Sequence, residues 1–149
     1  MVTTIGTEDK LEDLLKDLIQ LDHDAIAAYD AAVERIDSQS YKTTLSGFCD
    51  DHRRHTVELG EHLTRLGKTP PGEGDMKSML TKGKVVLGAL MGDKAILQAM
   101  KTNEDDTNTA YERAVGHKDA SGDLHATLQR ALEDERRHRS WMVETIKTL

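Results

Sequence analysis

Four stretches of helical apolar spacing, separated by two short breaks and one long one, constrain this chain more than any other feature. Leu11, Leu14, Leu15, Leu18, Ala25, Ile26, Tyr29, Ala32, Val33 and Ile36 recur every three or four residues, the period of one face of an α-helix. Tyr41, Leu45, Phe48, Cys49, Leu59, Leu63 and Leu66 do the same. So do Ile96, Leu97, Met100, Tyr111, Ala114 and Val115, and finally Leu124, Leu128, Ala131, Leu132, Met142 and Ile146. Thr7, followed by Glu8 and Asp9, reads as the first helix start, because a hydroxyl and early acids suit exposed N–H groups. Ser38–Ser40 ends that helix and caps the next, Gly67 suits a helix C-terminus, and the sequences KTPPGEGD and KDASGD break the pattern again. The helices predicted are 8–37, 40–67, 93–116 and 123–148, with a crossover over 68–92. Short links force antiparallel neighbours, so the expected fold is an all-α antiparallel four-helix bundle. It occupies a single domain over 1–149, with one long crossover between helices two and three.

Composition narrows the function classes. The formal charge of −7 argues against nucleic-acid binding, which needs a basic face. The single cysteine, Cys49, excludes an internal disulfide and a cysteine-based zinc site. No apolar run reaches the length of a membrane span and the N-terminus lacks a leader pattern, so a cytoplasmic location is expected. The stretch Met76–Met91 is apolar but interrupted by Gly83 and Gly88. It reads as a short helix within the crossover, able to cover the bundle or to form a homodimer surface.

The apolar pattern carries an internal repeat. DDHRRH at Asp50–His55 echoes EDERRH at Glu133–His138, and Ala28-Tyr29 echoes Ala110-Tyr111. The alignment pairs Asp22 with Glu104, His52 with Glu135 and His55 with His138, its offset growing by one residue after the turn. Residues seven apart on a helix share a face to within about 20°. Leu15, Asp22, Tyr29 and Ile36 form one such row and Leu90, Leu97, Glu104 and Tyr111 another, so Asp22 and Glu104 point into the core. Asp24 shares its row with Asp17 and reads as solvated. His52 and His55 lie among Leu45, Phe48, Leu59 and Leu63, and Glu135 and His138 among Leu128, Ala131, Met142 and Ile146. All six lie near mid-helix and meet at one level.

Three carboxylates and three imidazoles buried together need a reason, because an unpaired buried charge costs several kcal/mol. Carboxylate oxygen with imidazole nitrogen suits iron, manganese or zinc, and an i, i+3 pair puts two side chains over one ion. Carboxylates gathered without metal repel, so one of them is expected to take up a proton. Asp51 and Asp134 read as flanking residues, and Arg53, Arg54, Arg136 and Arg137 as partners of nearby acids. His23, His62, His117 and His125 read as surface groups. A hemerythrin-type site is excluded, since helix three has no central histidine.

With Asp22 and Glu104 as single carboxylates, Glu135-Arg-Arg-His138 as a Glu-x-x-His and His52-Arg-Arg-His55 as its variant, the chain resembles the ferritin-like superfamily. Its layout is similar to that of rubrerythrin, bacterioferritin and small bacterial ferritin-like domains, including a tyrosine, Tyr29, seven residues after the first carboxylate. The resemblance implies a bundle metal site of Asp22, His52, His55, Glu104, Glu135 and His138 holding iron, as one ion or a di-iron pair. It also implies oxidase- or peroxidase-type redox activity on dioxygen or peroxide. The family pattern has four carboxylates and two histidines; this chain has three of each, and Asp22 where glutamate is usual. The alternative is a non-catalytic bundle, a stress-associated scaffold or partner-binding module with a vestigial polar site.

Overall fold

The structure, a computed structural model, describes residues 3–72 and 90–149. Four helices account for most of it: α1 (Leu11–Arg35), α2 (Gln39–Arg65), α3 (Asp93–Val115) and α4 (Gly122–Lys147). They run 23 to 27 residues, about twice the globular average of about 11–12, and no strand occurs among the described residues. The part of the expected crossover helix at 76–89 lies outside the described residues. No helix among the described residues is long and apolar enough to cross a membrane.

Helix ends follow local chemistry, with one correction. The first helix starts at Leu11 behind Lys10, which makes no side-chain cap. Thr7, expected to cap it, instead donates its hydroxyl to the Thr4 carbonyl at 2.7 Å. Meanwhile Glu8 accepts the Gly6 N–H at 2.6 Å. These two residues close a turn ahead of the helix, so they are not free to start it. Ser38 does cap α2, accepting the Tyr41 N–H at 3.3 Å. At the far end Gly67, at φ +78°, ends α2 in a Schellman arrangement. Lys68 N–H donates to Leu63 O at 3.2 Å and Gly67 N–H to Thr64 O at 2.9 Å, satisfying carbonyls the helix leaves open. Leu66, one residue earlier, is exposed.

The α1–α2 turn is fastened to the start of α3. Asp93 accepts the backbone N–H groups of Asp37 at 2.7 Å and Ser38 at 3.1 Å. Its charge also suits the positive end of α3.

Two apolar clusters fill the bundle at its two ends. One holds Ile36, Leu45, Phe48, Ile96, Leu97, Met100 and Met142. The other holds Leu14, Leu15, Leu18, Leu59, Leu63, Tyr111, Leu124 and Leu128. In chain order α1 climbs from the second cluster to the first, α2 and α3 both descend, and α4 climbs again. Helices two and three are therefore parallel, and α2 ends at the opposite end from where α3 begins. The predicted polar residues lie between the clusters, in a layer capped by apolar side chains above and below. Leu97→Ala, in the upper cluster, is expected to cost about 2–5 kcal/mol in chemical denaturation with chelator present. A cost near zero would show that the cluster is not packed as described.

Candidate metal centre

The six residues singled out by periodicity are brought together. Asp22, His52, Glu135 and His138 are 0% exposed, Glu104 1% and His55 2%. They form two overlapping groups, Asp22–His52–His55–Glu135 and His52–Glu104–Glu135–His138. Within each group one ligand-type atom per residue lies within 4.8 Å of the others, so each group could hold a metal ion. The spacing is informative. His55 Nδ1 is 3.3 Å from Asp22 Oδ1 and 3.5 Å from Glu135 Oε1, and His138 Nδ1 is 3.5 Å from Glu104 Oε1. Four ligands at about 2.0–2.1 Å around a tetrahedral ion would sit about 3.3 Å apart.

Partners outside the two groups fix the orientation of these residues, and they cross between the two halves of the chain. Tyr29 of α1 donates its hydroxyl to Glu104 of α3, and Tyr111 of α3 donates to Asp22 of α1. His55 Nε2 meets Asp134 of α4 at 2.9 Å, while His138 Nε2 meets Asp51 of α2 at 2.8 Å. Arg54 pairs with Asp134 across the seam, and Arg137 with Asp51 at 2.8 Å. Each aspartate thus holds the outer nitrogen of a histidine and leaves Nδ1 facing inward, the usual device that orients a metal-binding imidazole. Asp51 and Asp134, expected only to flank the site, complete it from the α2–α4 side.

Two supporting residues escaped the sequence reading. Thr107 donates to Glu104 Oε2 at 3.1 Å. Asn108 ties Glu104 O at 2.7 Å to Glu135 O at 3.0 Å. Their positions one turn after Glu104 were the available signal. Phe48 stacks on His138 with ring centroids 4.2 Å apart. His23, His62, His117 and His125 belong to neither group.

Asp24 differs from its expected solvated state. Residues of α3 close over that face, where Asp24, Ala25, Ala28, Asp106 and Thr107 line a cavity of about 240 Å³. Its Oδ1 is buried without a hydrogen-bond partner, and burial pushes its carboxyl up to about 6.

In the metal-free site the surrounding carboxylates favour protonated imidazoles. Burial opposes a charged His52, but Glu135, Asp22 and Glu104 outweigh it and hold the ring at about 10. The same contest lifts His55 to about 12, through Asp22 and Asp134, and His138 to about 9, through Asp51 and Glu104. Despite burial, His55 and His52 draw Asp22 down to about 2, and His138 and His52 draw Glu104 well below its ordinary range. Burial, with Glu104 and Asp22 beside them, raises Tyr29 and Tyr111 well above ordinary phenols, so both remain hydroxyl donors.

Not every atom is satisfied. Both carboxylate oxygens of Glu135 and Nδ1 of His138 are buried with no hydrogen-bond partner. Native proteins rarely leave such groups unpaired. These three atoms face the two groups, and a cation placed there satisfies them. The donor set and its unpaired atoms therefore fit a transition-metal ion.

A pH dependence follows from the imidazoles. A histidine whose folded value lies above its ordinary 6.5 stabilises fully below 6.5, and that stability is lost as pH rises through the folded value. In chelator, thermal unfolding is expected to hold steady near pH 6 and to fall as His138, about 9, and then His52, about 10, lose protons. A melting temperature that stays level to pH 10 would contradict this charge assignment. Metal must displace the same protons, so affinity rises with pH.

Comparison with known proteins agrees with the architecture. No curated protein and no solved structure matches the chain. One family model, described as Domain of unknown function (DUF2383), matches residues 10–118. The match spans α1 to α3 and includes Asp22, His52, His55 and Glu104, while Glu135 and His138 of α4 lie beyond it. The chain belongs to this DUF2383 family, which lies within the ferritin-like fold.

Proposed function

We propose that the protein is a ferritin-like non-haem metal protein, with iron as its metal and dioxygen or peroxide as its small-molecule oxidant. The observation that carries this reading is the unsatisfied set at the centre: Glu135 Oε1, Glu135 Oε2 and His138 Nδ1. A buried network that had lost its metal would be expected to satisfy Glu135. Instead its Oε1 stands 3.4 Å from His52 Nδ1 and 3.5 Å from His55 Nδ1 without hydrogen-bonding to either. Half-satisfied networks are poor structural elements, whereas buried ligand-type atoms without partners suit a cation.

Asp22, His52, His55, Glu104, Glu135 and His138 would hold the iron. Bound iron supplies one-electron chemistry, cycling between ferrous and ferric states as the oxidant is reduced. The protein's own contribution is positional. Tyr29 and Tyr111 keep the outer carboxylates aimed inward, and Asp51 and Asp134 fix the tautomers of His138 and His55. The apolar clusters on either side keep water away, and a low local dielectric strengthens every charge interaction between them. The alternative, a scaffold with a vestigial site, has no observation in its favour beyond the imidazole–carboxylate pairs that also form without metal.

Elemental analysis separates the two readings. Protein reconstituted with iron, manganese or zinc is expected to carry about one to two ions per chain, while less than about a tenth of an equivalent would refute the metal reading. With iron bound, the ferrous protein is expected to gain ferric absorbance on mixing with peroxide faster than free ferrous ion does in the same buffer. Bound iron oxidised no faster than free iron would make the site structural rather than redox-active.

A further inference from the structure

Three of the four seams between the helices carry arginine beside the polar layer. Arg54 and Arg137 cross the α2–α4 seam, pairing with Asp134 and Asp51. Arg136 and Arg139 line the groove between α3 and α4, where Asn108 also stitches Glu104 O to Glu135 O. Arg53 of α2 pairs with Asp30 of α1 at 3.2 Å. Apolar clusters close the two ends. The α1–α3 seam differs. It holds the cavity of about 240 Å³, and among the described residues no lysine or arginine lines it.

That cavity spans the depth of the wall. Of its lining residues Asn103 is exposed, Asp24 and Asp106 are half-buried, and Ala25, Ala28 and Thr107 are buried. Thr107 is the link to the site, because it both lines the cavity and donates its hydroxyl to Glu104 Oε2 at 3.1 Å. The cavity therefore ends one side chain short of a candidate ligand. Asp24 keeps Oδ1 buried without a hydrogen-bond partner. Native structures seldom leave such an oxygen unpaired, and a passing cation satisfies it. A water takes about 30 Å³ of liquid volume, so the space admits a cation that keeps part of its hydration shell. A groove lined by one sign of charge concentrates ions of the other sign, whereas arginines on the remaining seams oppose a cation there.

We propose that the metal reaches the buried layer through the α1–α3 cavity as a partly hydrated divalent cation, with Asp24 and Asp106 as transit ligands and Thr107 as the gate. Rotation of the Thr107 side chain away from Glu104 Oε2 opens the last step and frees that oxygen for the arriving ion. The small side chains of Ala25 and Ala28 leave the space that the ion crosses. This rests on the metal reading above and adds the path by which the ion arrives.

The probe is cobaltous ion, whose visible absorbance changes as imidazole and carboxylate replace water. Uptake by the metal-free full chain is followed by rapid mixing, and release by mixing the loaded chain with chelator. Bound cobalt is counted at equilibrium. Ala28→Leu fills the cavity without altering any of the six site residues. It is expected to slow uptake and release by the same factor, about tenfold, with the amount bound unchanged. A residue on the path changes both rates alike, because one barrier is crossed in each direction; a residue of the site changes their ratio. Asp24→Asn, which keeps the side-chain volume, is expected to slow uptake several-fold at low salt and to flatten its salt dependence. Ser140→Leu, in the α3–α4 groove, is expected to leave both rates as in wild type.

Wild-type uptake in Ala28→Leu would overturn the route, and so would Ser140→Leu slowing uptake as much as Ala28→Leu does. Cobalt lost at equilibrium from a folded Ala28→Leu would place the effect in the site and overturn the route as well. Should Ala28→Leu fail to retain its helicity, Asp24→Asn decides alone. Uptake there at the wild-type rate, with wild-type salt dependence, overturns the proposal. No cobalt bound by wild type would overturn the metal reading, and the route with it.

Discussion

Three carboxylates and three imidazoles held dry at one level of a helical bundle are the constraint to which the rest of the structure answers. Asp22, Glu104, Glu135, His52, His55 and His138 all lie at 2% exposure or less, where a lone charge would be costly. The fold meets that demand in layers. Apolar clusters close the site above and below, tyrosine hydroxyls hold the outer carboxylates, and aspartates hold the outer nitrogens of two histidines. Without metal the carboxylates favour protonated imidazoles beside them. A cation bound there would have to displace those protons.

The internal repeat has a physical meaning beyond similarity of the halves. Tyr29 serves Glu104 and Tyr111 serves Asp22; Asp51 serves His138 and Asp134 serves His55. Every such contact joins the first helical pair to the second. The pairs α1–α2 and α3–α4 are each local hairpins, joined by short turns. The polar layer is thus where the two hairpins are matched to one another, and a shift of one helix turn would leave several buried groups without partners.

Much of this was legible from spacing alone. Rows of residues seven apart placed Asp22 and Glu104 inward beside Leu15, Ile36 and Leu97, and the helix lengths with one long break gave the connectivity. Periodicity reports which face a residue occupies, but it carries no information about what lies opposite. That is why Asp51 and Asp134 read as flanking: their partners are on another helix. Asp24 failed for the same reason, because α3 covers a face that looks solvated on α1 in isolation. Thr7 failed locally, since its hydroxyl found the Thr4 carbonyl before it could reach a helix N–H. The location of protons was illegible too. Repulsion among carboxylates was visible in the sequence, whereas the imidazoles that stand 2.7–3.5 Å from them and favour holding protons there were not.

A crystal structure of the metal-loaded chain, with anomalous diffraction recorded at the absorption edge of the metal, would address the site itself. The account requires anomalous density enclosed by Asp22, His52, His55, Glu104, Glu135 and His138, within bonding distance of Glu135 and His138 Nδ1. Loaded crystals with no anomalous density among those six residues, and with Glu135 hydrogen-bonded to protein or water instead, would contradict it.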